Sequence, residues 1–356
     1  MNNNLKARQR KKFRYYGMQC ILYGMSIFIL FIQSCIGPTN PEDTVTALSG
    51  GYSIISQFQT TGYALDVVAT DSFAFVAQGQ AGVAIINICN PQKPILESEL
   101  LNEIPGYSTK VAYLKDSIGN EVVYSVNGVY GVATIDVKNK KKPTVPRPTS
   151  DFKQTVGIFI YKNFLFCSDS IMDVGVGDIS NPKFPKGIWD LELPGYSRNT
   201  CVSSDSNYLM CALGEYGLAL INISKLVTGV EFPDTCSGQF NLPGITEDVA
   251  IMRGTKNAFL ACGLSGLQII DYSDTAHLKL VGSFQTGGYA REVIVDDKKA
   301  YLATEKSGIQ IIDISNVISP KRIGIIKIND VRGITVSNGY VFAADRYAGL
   351  VIIKIP

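Results

Sequence analysis

The sequence predicts an all-β fold: a seven-bladed β-propeller of four-stranded blades, the last blade closed by the N-terminal strand. Three observations predict it. The first is a repeat. One apolar pattern, clearest at 300–315 (AYLATEKSGIQIIDIS), returns at 74–89, 258–273 and 341–355 and in three weaker copies. The copies align on Gly82, Gly131, Asp173, Gly217, Gly266, Gly308 and Gly349, at steps of 49, 42, 44, 49, 42 and 41 residues. A period of roughly 40–45 residues made of short strands is that of propeller blades. The second observation is the strand content of each copy. The third is the fit between the two ends of the chain.

Within a copy the strands follow in order. An aromatic residue or Met stands seven positions before the alignment point: Phe75, Tyr124, Phe166, Met210, Phe259, Tyr301 and Phe342. An acid or amide stands five positions after it, at Asn87, Asp136, Asp178, Asn222, Asp271 and Asp313, with Lys354 in the last copy. Between them lie short runs rich in Val and Ile, which read as buried strands. The alignment glycine suits the turn feeding the third strand, because Gly adopts positive φ cheaply. Asp173, which replaces it once, is among the few residues that tolerate that region. Asn90-Pro91 to Pro94 and Asn181-Pro182 to Pro185 are turns out of the sheet, since Pro has no amide to donate to a ladder. A more polar fourth strand follows, as at 278–284, which completes a blade.

The ends fit together. The last copy stops at Pro356, just after its third strand, while 52–64 echoes 278–290. The N-terminal strand is therefore expected to complete the last blade and remove an open edge.

Residues Gly308 to Ser315 (GIQIIDIS), Gly266 to Asp271 (GLQIID) and the Asn-Pro turns resemble those of the LVIVD-repeat family of bacterial β-propeller proteins. The resemblance covers about 51–356 and implies a propeller of the cell surface or secreted compartment, without naming a reaction. Copies 2, 3 and 4 depart most. Copy 3 lacks the Gly, copy 2 carries Lys138-Asn139-Lys140-Lys141-Lys142, and copy 4 lacks the Asn-Pro turn.

Ahead of the ring, Lys6, Arg8, Arg10, Lys11, Lys12 and Arg14 form a basic run, followed by the apolar stretch Met18 to Ser34 and then Cys35. A basic segment, a short apolar segment and a small residue at the cut describe a secretory signal peptide. Ile32, Ser34 and Cys35 resemble a bacterial lipoprotein signal, with Gln33 atypical; the resemblance implies acylation of Cys35. An uncleaved anchor is the alternative, because the apolar stretch is near the shortest that spans a bilayer. The expected organisation is a signal peptide at 1–34, a lipidated spacer at 35–50 and the propeller at 51–356. Either leader reading puts the ring outside the cytoplasm, in a bacterial cell envelope, tethered to membrane.

The whole chain has 33 basic and 31 acidic residues; 33 less the six leader cations leaves 27 against 31. The basicity belongs to the targeting signal, so nucleic acid is not an expected partner. No Cys-x-x-Cys metal spacing occurs, and buried Cys167 and Cys211 read as small hydrophobes. His277 is the single histidine, on an outer turn, which disfavours Ser-His-Asp or Cys-His catalysis and His-rich metal sites. No cofactor is expected, and no phosphate-cradling motif is present.

Propeller geometry points to the channel mouth, where inter-blade connections and the loops between second and third strands open. Four connections place Tyr after Gly, at Tyr63, Tyr107, Tyr196 and Tyr289. Just inside come Asp66, Lys110, Arg198, Glu247, Asp248, Arg291, Glu292 and Arg332, and the last loop adds Asp345, Arg346 and Tyr347. Tyr and Arg anchor interfaces; packing between blades and charge pairing around the channel is the structural alternative. The expectation is a scaffold binding a protein, glycan or small ligand at this face. The alternative is a hydrolase, for instance glycan-active, built on the carboxylates Glu247, Asp248 and Glu292.

Overall fold

The computed structural model describes residues 49–150, 152, 154–170, 173–227 and 236–356. The expected leader, Cys35 and the spacer up to residue 48 lie outside the described residues. The described chain forms seven sheets, each of four antiparallel strands. Blade 1 runs Asp66–Ala69, Phe73–Ala77, Val83–Asn87 and Ile95–Leu100, from the channel outwards. The inner strands of blades 2 to 7 are Lys110–Lys115, Thr155–Tyr161, Asn199–Val202, Asp248–Ile251, Glu292–Asp296 and Val331–Ser337.

The ring closes as the ends of the sequence require. Ser53–Phe58 is the fourth strand of blade 7 and pairs antiparallel with Gly349–Lys354, with Ser53 opposite Lys354 and Phe58 opposite Leu350. First and last strands thus share one sheet, and the blade has no missing outer strand.

The core lies between blades. Each of seven buried clusters draws on two neighbouring blades: one joins Val83 and Ile85 of blade 1 to Val123 and Ile135 of blade 2. Another joins Ile309 of blade 6 to Val351 of blade 7. The repeated aromatic position is buried in every blade. Where it is Tyr, the hydroxyl is satisfied: Tyr124 donates to the Pro182 carbonyl of the next blade at 2.7 Å, and Tyr301 meets the Tyr52 hydroxyl at 3.2 Å.

The repeated acid or amide ends the third strand by an Asx turn. The side-chain oxygens of Asn87, Asp136, Asp178, Asn222, Asp271 and Asp313 accept the amides of Cys89, Lys138, Ser180, Ser224, Ser273 and Ser315. A short polar side chain two residues before the amide supplies this turn at low cost. Copy 4, which lacks the Asn-Pro turn, follows with one helical turn, Ser224–Val227.

Candidate functional site: the tyrosine face and the neck of the channel

The inner strands present seven equivalent positions at their start. Opposite Ala77, Val126, Ser168, Ala212, Ala261, Ala303 and Ala344 stand Asp66, Lys110, Gly157, Asn199, Asp248, Glu292 and Gly333. An inner strand has one edge paired and one edge towards the channel, so its free amides need partners. The acids supply them across blades. Asp66 Oδ2 accepts the amide of Val111 at 2.9 Å, Asp248 Oδ2 that of Val293 at 2.9 Å, and Glu292 Oε1 that of Ile334 at 3.3 Å. Asp248 Oδ1 also takes the Asn199 side-chain amide at 2.7 Å. Gly333 allows the close approach: a Cβ there would stand 2.5 Å from Asp66 Oδ1.

Lys110 crosses this neck. Its Nζ lies 2.5 Å from Glu292 Oε2 and 3.5 Å from Asp66 Oδ1, bridging blade 2 to blade 6 on the far side. Burial pushes Asp66 up to about 7, with Lys110 opposing and Glu292 adding to the rise. Burial, then Glu292, pushes Asp248 up to about 7 as well. The three carboxylates keep the Lys110 ammonium charged far above its ordinary range, although burial alone would lower it. From the neck towards the turns between first and second strands, a cavity of about 750 Å³ is lined by the neck acids Asp248 and Glu292 and by Phe159, Val202, Val249 and Val293 with Arg253.

The opposite side is the tyrosine face. There the loops between second and third strands of blades 1, 2, 4, 5 and 6 are tied to the start of the next blade by backbone bridges, such as Gly79 with Ser108 and Gly263 with Ala290. The tyrosine just before the bridge lies over the glycine of the loop. A Cβ on Gly79 would stand 2.8 Å from the Tyr107 ring, and one on Gly263 3.0 Å from the Tyr289 ring. Both glycines also have positive φ, 61° and 51°, so a side chain is excluded twice. Where the sequence has Glu305 in that place, φ is 44° and the carboxylate pairs with Arg291 and, at 3.6 Å, with Arg332.

The predicted residues divide between these two levels. Tyr63, Tyr107 and Tyr196 are exposed on the tyrosine face, and Arg198 is exposed beside them. Tyr289 is half-buried, donates to Glu247 Oε1 at 2.5 Å and carries the Arg291 guanidinium 5.1 Å from its ring centre. Burial, and then Glu247, pushes its hydroxyl up to about 12. Arg332 holds Asp330 through Nη2 at 2.9 Å. Asp66, Lys110, Asp248 and Glu292 form the neck instead. Asp345 is fully buried and serves its own loop, accepting the amides of Tyr347, Ala348 and Asp330. Sequence reasoning missed Tyr130 and Tyr216, both exposed on this face. Their signal was local: each immediately precedes an alignment glycine, Gly131 or Gly217.

Where blades 7 and 1 meet, the face deepens into a groove of about 770 Å³ that includes Tyr63, Tyr107, Arg346 and Tyr347. Tyr63 and Tyr347 are edge to face at 5.7 Å, and the Arg346 guanidinium lies 4.8 and 5.6 Å from their ring centres.

Comparison with known proteins adds the repeat type. Residues 61–101, 243–286, 287–327 and 329–355 match the LVIVD repeat. Four of the seven copies are similar to that repeat. The matched segments fall in blades 1, 5, 6 and 7, and the divergent copies 2, 3 and 4 lie between them. No curated protein matches the chain. Among solved structures, a chain from the crystal structure of a mitotic checkpoint complex superposes with a TM-score of 0.66 at 12% identity, covering 85% of this chain and 96% of that one. At that identity the likeness is one of fold alone.

Proposed function

We propose that this protein is a binding scaffold of a bacterial cell envelope, lipid-tethered outside the cytoplasm, which holds a protein or glycan on its tyrosine face. The carrying observation is the set of exposed rings: Tyr63, Tyr107, Tyr130, Tyr196, Tyr216 and Tyr347 stand on one side of the ring, with Tyr107, Tyr130 and Tyr216 seated on glycines. Tyrosine offers a large rigid contact with a polar tip and loses little entropy on binding. The turns beneath are fixed by inter-blade bridges, so the rings are presented by a stiff frame. The tether is supported by the basic run, the apolar stretch and Cys35 at their end.

Binding is favoured over carboxylate chemistry by what the acids already hold. Asp248 and Glu292 accept amides of the next blade, and Glu247 accepts the Tyr289 hydroxyl. A hydrolase of the paired-carboxylate kind needs both groups free to face a substrate.

The test is a screen of the full-length protein on printed glycans and peptides, with Tyr196→Ala/Tyr347→Ala and Lys141→Ala variants beside it. Lys141 is exposed on a turn of the opposite face. Loss of about tenfold or more in the tyrosine variant is expected, as for interface anchors, with the Lys141 variant unchanged. The reverse pattern would move the site to the turn face.

A further inference from the structure

The groove between blades 7 and 1 has a chemistry that the rest of the tyrosine face lacks. Its lining contains three tyrosines, Tyr63, Tyr107 and Tyr347, the amides Gln80 and Asn102, and Arg346; no Asp or Glu lines it among the described residues. Arg346 is half-buried and makes no ion pair among the described residues, and its Nε is shielded from solvent with no acceptor. Two other arginines of this face differ, since Arg291 and Arg332 are both held by Glu305, while Arg198 is exposed outside the groove. The neighbouring acid is turned to backbone and makes no ion pair with Arg346 among the described residues: Asp345 Oδ1 takes two amides and Oδ2 a third.

A guanidinium with one nitrogen shielded and no anion beside it carries an unmet donor and favours an anionic partner. The Arg346 guanidinium lies against the rings of Tyr63 and Tyr347, and its fork suits a planar carboxylate, which can accept two parallel N–H bonds. The ring faces beside it suit a flat, weakly polar surface. The side-chain amides of Gln80 and Asn102 make no hydrogen bond among the described residues, and both are exposed. They offer donors and acceptors to hydroxyls. Carboxylate, flat ring face and hydroxyls occur together in an acidic sugar. An extended peptide, by contrast, gains most by adding to a free strand edge, and this groove is walled by loops.

We infer that the groove between blades 7 and 1 binds a carboxylate-bearing saccharide, with the carboxylate on Arg346 and the sugar ring against the tyrosines. This rests on the reading of the tyrosine face as the binding face. The volume of about 770 Å³ is that of a small-ligand site rather than a flat docking patch.

The experiment is calorimetric titration of the full-length protein in detergent with trimers of galacturonate, glucuronate and mannuronate, each also as its neutral methyl ester. At least one acid trimer should bind saturably, and its ester should bind about tenfold more weakly, the scale of a lost charge-assisted pair. Arg346→Gln should bring the acid down to the level of the ester and leave the ester unchanged. Asn102→Asp, an exposed loop change with little reason to disturb folding, should weaken the acid more than the ester through like charge. Equal binding of acid and ester, or no binding of any acid trimer up to about 1 mM, overturns the inference. If acids fail while another printed ligand depends on Tyr196 and Tyr347, the saccharide falls and the scaffold stands. If nothing depends on those tyrosines, both fall.

Discussion

Asp66 and Asp248 sit at the same place in blades 1 and 5, and each ties its blade to the next through a backbone amide. That use has a measurable consequence. Both carboxyls are raised to about 7 from 3.8, chiefly by burial, with Lys110 and Glu292 as the charged groups facing them. A folded-state pKa above the unfolded one means that the folded protein binds more protons between the two values. The stability these acids contribute is therefore complete below about pH 4 and is lost as pH rises through about 7. The Asx-turn acids Asp178 and Asp313, and Asp205 at about 2, are held below their ordinary range, so they titrate beneath that window. The melting temperature should fall between pH 4.5 and 7.5 (roughly the window set by the shifts), and Asp66→Asn/Asp248→Asn should flatten the slope. An unchanged slope in that variant would remove the neck acids as its source. This role was not legible in the sequence. Asp66 and its amide partner are 45 residues apart, and nothing local distinguishes a carboxylate used by a neighbouring blade from one facing solvent. The tyrosines were legible because each sits in a fixed local pattern of Gly and Tyr, and Tyr130 and Tyr216 were missed only because a second such pattern went unread.

The blade was legible at the element scale, because its signals are short-range: an aromatic centre, a glycine turn and a polar side chain two residues before the amide it caps. The outer strand of blade 7 was legible for a different reason, a likeness between 52–64 and 278–290 across the chain. Pairing of Ser53–Phe58 with Gly349–Lys354 gives that likeness its meaning. The strand also covers the core, since Tyr52 is buried and reaches the Tyr301 hydroxyl of blade 6, while Phe58 packs against the cluster shared by blades 7 and 1. Deleting 51–58 would leave the third strand of blade 7 as an edge and uncover that cluster. An edge of unpaired amides templates pairing with another chain. The deletion should lower the melting temperature and shift the protein to aggregates in size-exclusion chromatography. A monomeric deletion variant with the melting temperature of the full chain would show that closure does not depend on this strand.

In the ring, two faces are separated by a neck that Lys110 crosses, and among the described residues the exposed tyrosines stand on one of them. The proposed tether places the scaffold at a surface, and it rests on the sequence before the ring. Six cations, an apolar stretch and Cys35 stand within the first 35 residues. Acylation adds buried methylenes to whatever the leader provides, and more than one chain is needed for stable anchoring. Two anchors therefore predict different results for one substitution. If Cys35 carries lipid, Cys35→Ala abolishes incorporation of labelled fatty acid and leaves a precursor of higher mass, with the leader still attached. If the leader is an uncleaved anchor, mass and labelling are the same in the variant and in the parent. Membrane association is the weaker readout, because an uncut apolar leader can hold the protein at the bilayer in both cases. Labelling that persists undiminished in the Cys35→Ala protein would exclude lipid at that residue, while leaving the ring, its neck and its tyrosine face as they stand.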